Sequence, residues 1–187
     1  MVDNTFNRTI ESAKDYVLES AIITADRAGD LEFDISKVIL QLDIYENIDN
    51  AYLSGTIIIK DESNIFGRID VRGTERLKIR ISIPTSPKTV EMKFIVEQVI
   101  STIRYGDQAE MITLSLIEEH AFNSALQKIS KAYFGKPEEI IANILKDNLN
   151  IELDNQSVPS AQPEMRIVVP YLTPLEACKW VLSRMTT

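Results

Sequence analysis

The clearest pattern in this chain is an alternation of period two that fills its first half. In Arg76-Leu77-Lys78-Ile79-Arg80-Ile81-Ser82-Ile83 every second residue is aliphatic and every intervening one is polar or charged, which is the mark of a half-buried strand. Residues 38–45 repeat it, with Val38, Leu40, Leu42 and Ile44 on one face and Gln41 and Asp43 on the other. Asn47-Ile48-Asp49-Asn50 supplies turn chemistry, because Asn and Asp tolerate left-handed backbone angles and bond their own main chain. Residues 51–60, with the run Ile57-Ile58-Ile59, then return as the second strand of a long hairpin. Further strands are predicted over 16–24, ending at Arg27-Ala28-Gly29-Asp30, and over 92–103 and 111–116 around the turn Tyr105-Gly106-Asp107. Six strands with short polar connections predict a sandwich or small barrel. Closure would remove exposed edges.

Past Glu118 the period changes. Gly135-Lys136-Pro137-Glu138-Glu139 puts proline near the first helical position and acids in the first turn, where they meet the positive end of the helix dipole. Ile140, Ile141, Ile144, Leu145 and Leu149 follow as a helical apolar stripe. Residues 150–164 hold Pro159 and Pro163 among polar side chains and predict a loop. Thr173-Pro174-Leu175-Glu176 has capping-box spacing with proline at the first helical position. Its stripe, Leu175, Cys178, Val181, Leu182 and Met185, runs to the end of the chain with no stop signal, so the pattern predicts a further element beyond Thr187. The expected organisation is α+β: an antiparallel β-barrel or sandwich over 1–118, then a smaller helix-containing domain over 119–187, incomplete at its C-terminus.

Composition narrows the function classes. Apolar residues make up 44% and charged ones 26% of 187, the profile of an ordinary globular protein rather than a disordered one. No stretch approaches the roughly 18 apolar residues of a spanning helix, and Met1-Val2-Asp3-Asn4-Thr5 lacks the basic start of a signal peptide. The expectation is a protein made in the cytoplasm, without membrane insertion. The single cysteine and single histidine exclude an internal disulfide and most zinc sites. A net charge of −8 opposes a broad nucleic-acid footprint, since phosphate binding needs lysine and arginine to displace counterions. An acidic surface suits the passage of DNA better than its capture.

Candidate chemistry is sparse. Glu118-Glu119-His120 is the one place where acids and histidine sit together, but three consecutive side chains diverge on a strand or a helix, so it reads as a strand end leading into a helix. Cys178 lies in an apolar stripe and reads as an inert core residue. Asp61-Glu62-Ser63-Asn64 lacks the alternating acids, glycine and terminal glutamate of a calcium loop and reads as a turn. Trp180 and Tyr171 flank the second helix start and read as core aromatics ahead of interface anchors. No catalytic, cofactor or metal residues are assigned; an enzyme would have to be built from scattered carboxylates such as Asp43, Glu97 and Glu118. Arg76, Lys78 and Arg80 stand apart as a basic stripe in an acidic protein. They are either a solvated face or guarded edge, or a contact for the acidic face of a neighbouring subunit.

The ordered pieces resemble a known family. Leu18-Glu19-Ser20-Ala21-Ile22-Ile23-Thr24, the hairpin over 38–61 with its Asp-Ile-Tyr-Glu-Asn approach, and the strand over 75–84 resemble the N-terminal tube-like barrel of baseplate hub proteins from contractile-tailed bacteriophages. Residues 131–145, through Phe134-Gly135-Lys136-Pro137, and then Val168-Val169-Pro170-Tyr171-Leu172-Thr173-Pro174-Leu175-Glu176, resemble the segment that follows that barrel. The weight of the likeness lies in order and spacing. It implies a non-enzymatic protein of the virion tail that forms a trimeric ring, joins the tail tube protein on one side and holds the central spike protein on the other. Related hub modules occur in bacterial contractile secretion systems. Family members are longer and carry a second barrel, so the expectation is a fragment or one part of a divided hub. The competing expectation is an acidic β-barrel that binds a ligand or peptide in its mouth, which requires a large apolar pocket.

Overall fold

A computed structural model describes residues 16–25, 31–69, 71–82, 89–105, 109–153 and 163–185. The turns expected at Arg27-Ala28-Gly29-Asp30 and Gly106-Asp107, Ile83, and most of the loop over 150–164 lie outside them. The chain divides into two compact units, 1–119 and 120–187.

Unit 1 is built on one antiparallel sheet. Its strands are β1 (Val17–Ala25), β2 (Leu31–Asp34), β3 (Ile39–Tyr45), β4 (Ser54–Asp61), β5 (Arg76–Ser82), β6 (Thr89–Tyr105) and β7 (Ala109–Glu118), in the spatial order β2-β1-β5-β6-β7-β4-β3. Consecutive strands β2 and β3 therefore occupy opposite edges. A flat seven-stranded sheet would hold its edges roughly 29 Å apart at about 4.8 Å per strand, whereas the connection over 35–38 reaches at most about 17 Å. The sheet must curl until its edges approach. The connection is anchored on both sides, Ile35 N–H donating to the Ala21 carbonyl at 2.8 Å and Lys60 N–H to the Val38 carbonyl at 2.9 Å. Ile35 itself is fully buried. The architecture is thus a single curled sheet rather than two stacked ones.

Alternation decides which side chains fill the interior. Ala21 and Ile23 on β1, Ile57 and Ile59 on β4, Leu77 and Ile79 on β5, Phe94 and Val96 on β6, and Ile112, Leu114 and Leu116 on β7 form one core. The Asn47 turn forms as expected: Asn50 N–H donates to the Asn47 carbonyl at 3.0 Å and Asp49 N–H to Asn47 Oδ1 at 2.9 Å. Leu40 departs from its predicted face. A bulge between Ile39 and Gln41 inserts it as an extra residue, which shifts the phase by one, so Leu40 is exposed while Ile39 packs on the core. The period-two reading also overlooked β2, four residues long.

A short helix, α1 (Ile65–Ile69), caps one part of this core with Phe66 and Ile69. Its start is made by Asp61, whose carboxylate accepts N–H bonds from Ser63 (3.0 Å), Ile65 (3.0 Å) and Phe66 (2.8 Å). The run 61–64 is a turn, as its residue types predict.

Helix α2 (Glu119–Ala125) leads into unit 2, which packs β8 (Ile129–Gly135) and β9 (Met165–Leu172) as a two-stranded sheet with α3 (Pro137–Leu149) and α4 (Pro174–Leu182). The unit has its own core, including Ile140, Ile144, Leu149, Val169, Ala177 and Val181. Both helices begin where the sequence places them. Thr173 Oγ1 accepts from Glu176 N–H at 3.3 Å while Glu176 Oε2 accepts from Thr173 N–H at 2.9 Å, a reciprocal cap. Helix α3 ends on Asn150 in a left-handed conformation, a frequent stop. Helix α4 stops at Leu182, which is exposed, and turns through Ser183. The apolar stripe therefore does not run on as a helix to the chain end. Tyr171 also departs from the core reading. It is the bulged residue of β9, has φ 52°, and is exposed.

Cys178 is buried in the second core, and burial pushes its thiol up to about 11. At neutral pH only about one molecule in ten thousand then carries a thiolate. Alkylation by iodoacetamide at pH 7.5 is expected to be slow in the folded chain and to reach ordinary thiol rates in denaturant; equal rates in both states would contradict the packing. Because the folded value is raised, this contribution to stability is complete below about pH 9 and lost as pH rises towards 11.

Candidate functional site

The basic stripe is real but not isolated. Leu77 and Ile79 point inward from β5, so Arg76, Lys78 and Arg80 project from its outer face. Strand β5 lies between β1 and β6, so the stripe guards no edge. Register places Glu91 of β6 opposite Arg80. Glu91 Oε2 lies 3.0 Å from Arg80 Nη2 and 3.2 Å from Lys78 Nζ, and Arg76 Nε lies 3.7 Å from Glu119 Oε1. The hydrogen bonds from Arg80 and then Lys78 hold the Glu91 carboxyl below the usual carboxylate value. This pairing is intact above ordinary carboxylate pH and is lost as pH falls through the lowered value. Exposed pairs of this kind add little stability. Their consequence is electrostatic: Glu91 and Glu119 offset part of the charge of the stripe, while register places a further cation, Lys93, opposite Lys78.

The carboxylates proposed for catalysis are not brought together. Asp43 accepts from Gln41 Nε2 at 2.6 Å on β3, and Glu97 accepts from Ser115 Oγ at 3.0 Å on β6. Three strand spacings, roughly 14 Å, separate those strands. Glu118 turns away to accept Leu53 N–H at 2.8 Å, Glu119 reaches Arg76, and His120 Nδ1 has no hydrogen-bond partner among the described residues. The Glu118-Glu119-His120 run diverges. Among the described residues no group of three His, Cys, Asp or Glu side chains gathers to hold a metal, and no helix is long and apolar enough to cross a membrane.

Two features escaped the sequence. One is the pair of buried acids in unit 1, Asp61 and Glu75; Glu75 accepts N–H bonds from Arg72 (3.1 Å) and Gly73 (2.9 Å). Both hold backbone turns. The other is the outer face of β8 and β9, a shallow depression of about 430 Å³ lined by Ala132, Tyr133, Phe134, Arg166, Ile167 and Val168. Its signal in the sequence is the aromatic and β-branched content of Tyr133-Phe134 and Ile167-Val168-Val169.

These two units, a curled antiparallel sheet and a small helix-backed hairpin, define an α+β chain. No protein-family model matches it, and no curated protein matches its sequence. Among solved structures it is similar to a chain in the lidless PdpA-VgrG complex, with 13% identity over 85% of this chain and 29% of that one, at a TM-score of 0.49. It is also similar to a chain in the lidded Francisella PdpA-VgrG complex, with 14% identity over 86% of this chain and 24% of that one, at 0.45. The chain thus spans about a quarter of the length of those it matches.

Proposed function

We propose that this chain is a structural, non-catalytic hub module of a contractile injection apparatus, of the kind found in secretion systems and phage baseplates. In this reading the curled sheet is a tail-tube-type segment of a ring, and a central spike protein is its partner. The observation that carries it is the continuous apolar core packed on the inner face of the curled sheet of unit 1. Ile57, Ile59, Leu77, Ile79, Phe94 and Leu114 meet there with essentially no exposure, the packing expected of a structural wall. A curled sheet packed in this way suits a wall, and the ordered likeness of its strands to hub barrels supports the same assignment. The net negative charge of the chain would let DNA pass without adhering.

Electron microscopy of the purified full-length chain with its spike partner tests this reading. A closed ring coaxial with the spike is the expected result. A protein that stays monomeric and joins neither tube nor spike refutes it.

Within this reading, Arg76, Lys78 and Arg80 are proposed as a subunit contact. Reversing Arg76 and Arg80 to glutamate is expected to slow assembly several-fold at about 0.01 M salt, where charges act over roughly 30 Å. The effect should fade at physiological salt. Unchanged assembly at low salt removes the stripe from the interface.

A further inference from the structure

The β8–β9 hairpin is covered on one side only. Tyr133, Met165, Ile167 and Val169 pack into the second core. The intervening residues face solvent as two neighbouring cross-strand pairs, Ala132 with Val168 and Phe134 with Arg166. Phe134 and Val168 are 63% and 64% exposed. Phe134 and Val168 thus form a small exposed apolar patch on the outer face of this sheet.

Arg166 supplies the chemistry of the occupant. Its guanidinium stands 5.1 Å from the centre of the Phe134 ring and has no carboxylate partner among the described residues, although Lys128, Lys131 and Lys146 of the same unit each pair with an acid. A guanidinium stacked on an aromatic ring keeps its outward donors oriented for a planar, bidentate acceptor. Tyr171, exposed and held at a positive φ in the adjoining bulge, adds a backbone conformation that aromatic residues rarely adopt and that clusters at functional sites.

We propose that this face docks a segment of another protein carrying a carboxylate flanked by aliphatic side chains, the carboxylate on Arg166 and the aliphatic groups on Phe134 and Val168. The inference stands independently of the hub reading. A nucleic-acid occupant would use the same arginine and aromatic ring, but it needs a row of cations. On this face one arginine, without a carboxylate partner among the described residues, lies on a protein of net charge −8, which favours the peptide.

The test is a nuclear magnetic resonance titration of the full chain with a short capped peptide alternating leucine and glutamate, alongside its leucine–glutamine counterpart and oligothymidylate. The expected result is saturable shifts confined to β8 and β9 with a Kd on the order of 0.1 mM, about tenfold weaker binding of the glutamine peptide, and a similar loss in Arg166→Gln. Phe134→Ser should weaken binding as well. If that variant fails to fold, Arg166→Gln, which changes only an exposed side chain, decides the matter. Absent shifts at about 2 mM peptide overturn the proposal, as does equal binding of both peptides or tighter binding of oligothymidylate. A concentration-dependent dimer that Val168→Asp abolishes would assign the face to a second copy instead.

Discussion

Replacing Phe94 by alanine is expected to destabilise unit 1 by about 3–5 kcal/mol, the largest effect of any single substitution considered for this protein. Phe94 is fully buried, and on β6 it stands between Leu77 of β5 and Glu118 of β7. The loss combines the transfer free energy of the ring with the cavity left among side chains that the curled sheet holds in place. A domain of this size has about 5–15 kcal/mol in all, so the variant should approach the threshold of unfolding at 37 °C. Urea denaturation followed by the circular dichroism of the sheet measures it. Ile48→Ala is the control, because Ile48 is fully exposed in the β3–β4 turn and should change stability by less than about 0.5 kcal/mol. Similar losses in both variants would mean that the sheet does not enclose Phe94.

Asp61→Ala is expected to cost about 2–3 kcal/mol, even though it removes no apolar surface. The carboxylate is nearly inaccessible and holds three backbone N–H groups, of Ser63, Ile65 and Phe66. A buried donor left without an acceptor costs about 1–3 kcal/mol, and the loss of a helix cap alone costs about 1 kcal/mol. The bond to Phe66 is the buried one. Asp61→Asn separates the contributions, since it keeps one acceptor oxygen and should recover about half of the loss. If Asp61→Asn proved as damaging as Asp61→Ala, the negative charge rather than acceptor geometry would be what the turn requires.

Both predictions concern positions of different legibility. Phe94 sits in a stretch read as a strand, but its place in the core follows only from the structure. Asp61 was read only as a turn residue, because hydrogen bonding to main-chain groups up to five residues away leaves no mark in composition. The basic stripe is an intermediate case. Its residues and their common face follow from period two, but the acids that neutralise it, Glu91 and Glu119, come from other elements and are brought alongside by register. Leu40 is misplaced because it is the extra residue of a bulge, and one inserted residue inverts an alternation that sequence reading assumes to be continuous; Tyr171, read as core from its aromatic character alone, is exposed at the bulge of β9.

By itself, the amino-acid sequence determined the elements whose cause is local. These are the alternating strands β1, β4 and β5, the Asn47 turn, and the starts of α3 and α4, where proline, cap and first-turn acids act within a few residues. Only the tertiary structure decided the order of the seven strands, the curl that draws β2 and β3 together, and the pairing of β8 with β9 across a separation of some thirty residues. Those features depend on contacts between segments far apart in the chain, which no local periodicity encodes. The bare Phe134–Arg166 face is of the same kind: it exists only because two short strands, weakly patterned on their own, are set side by side.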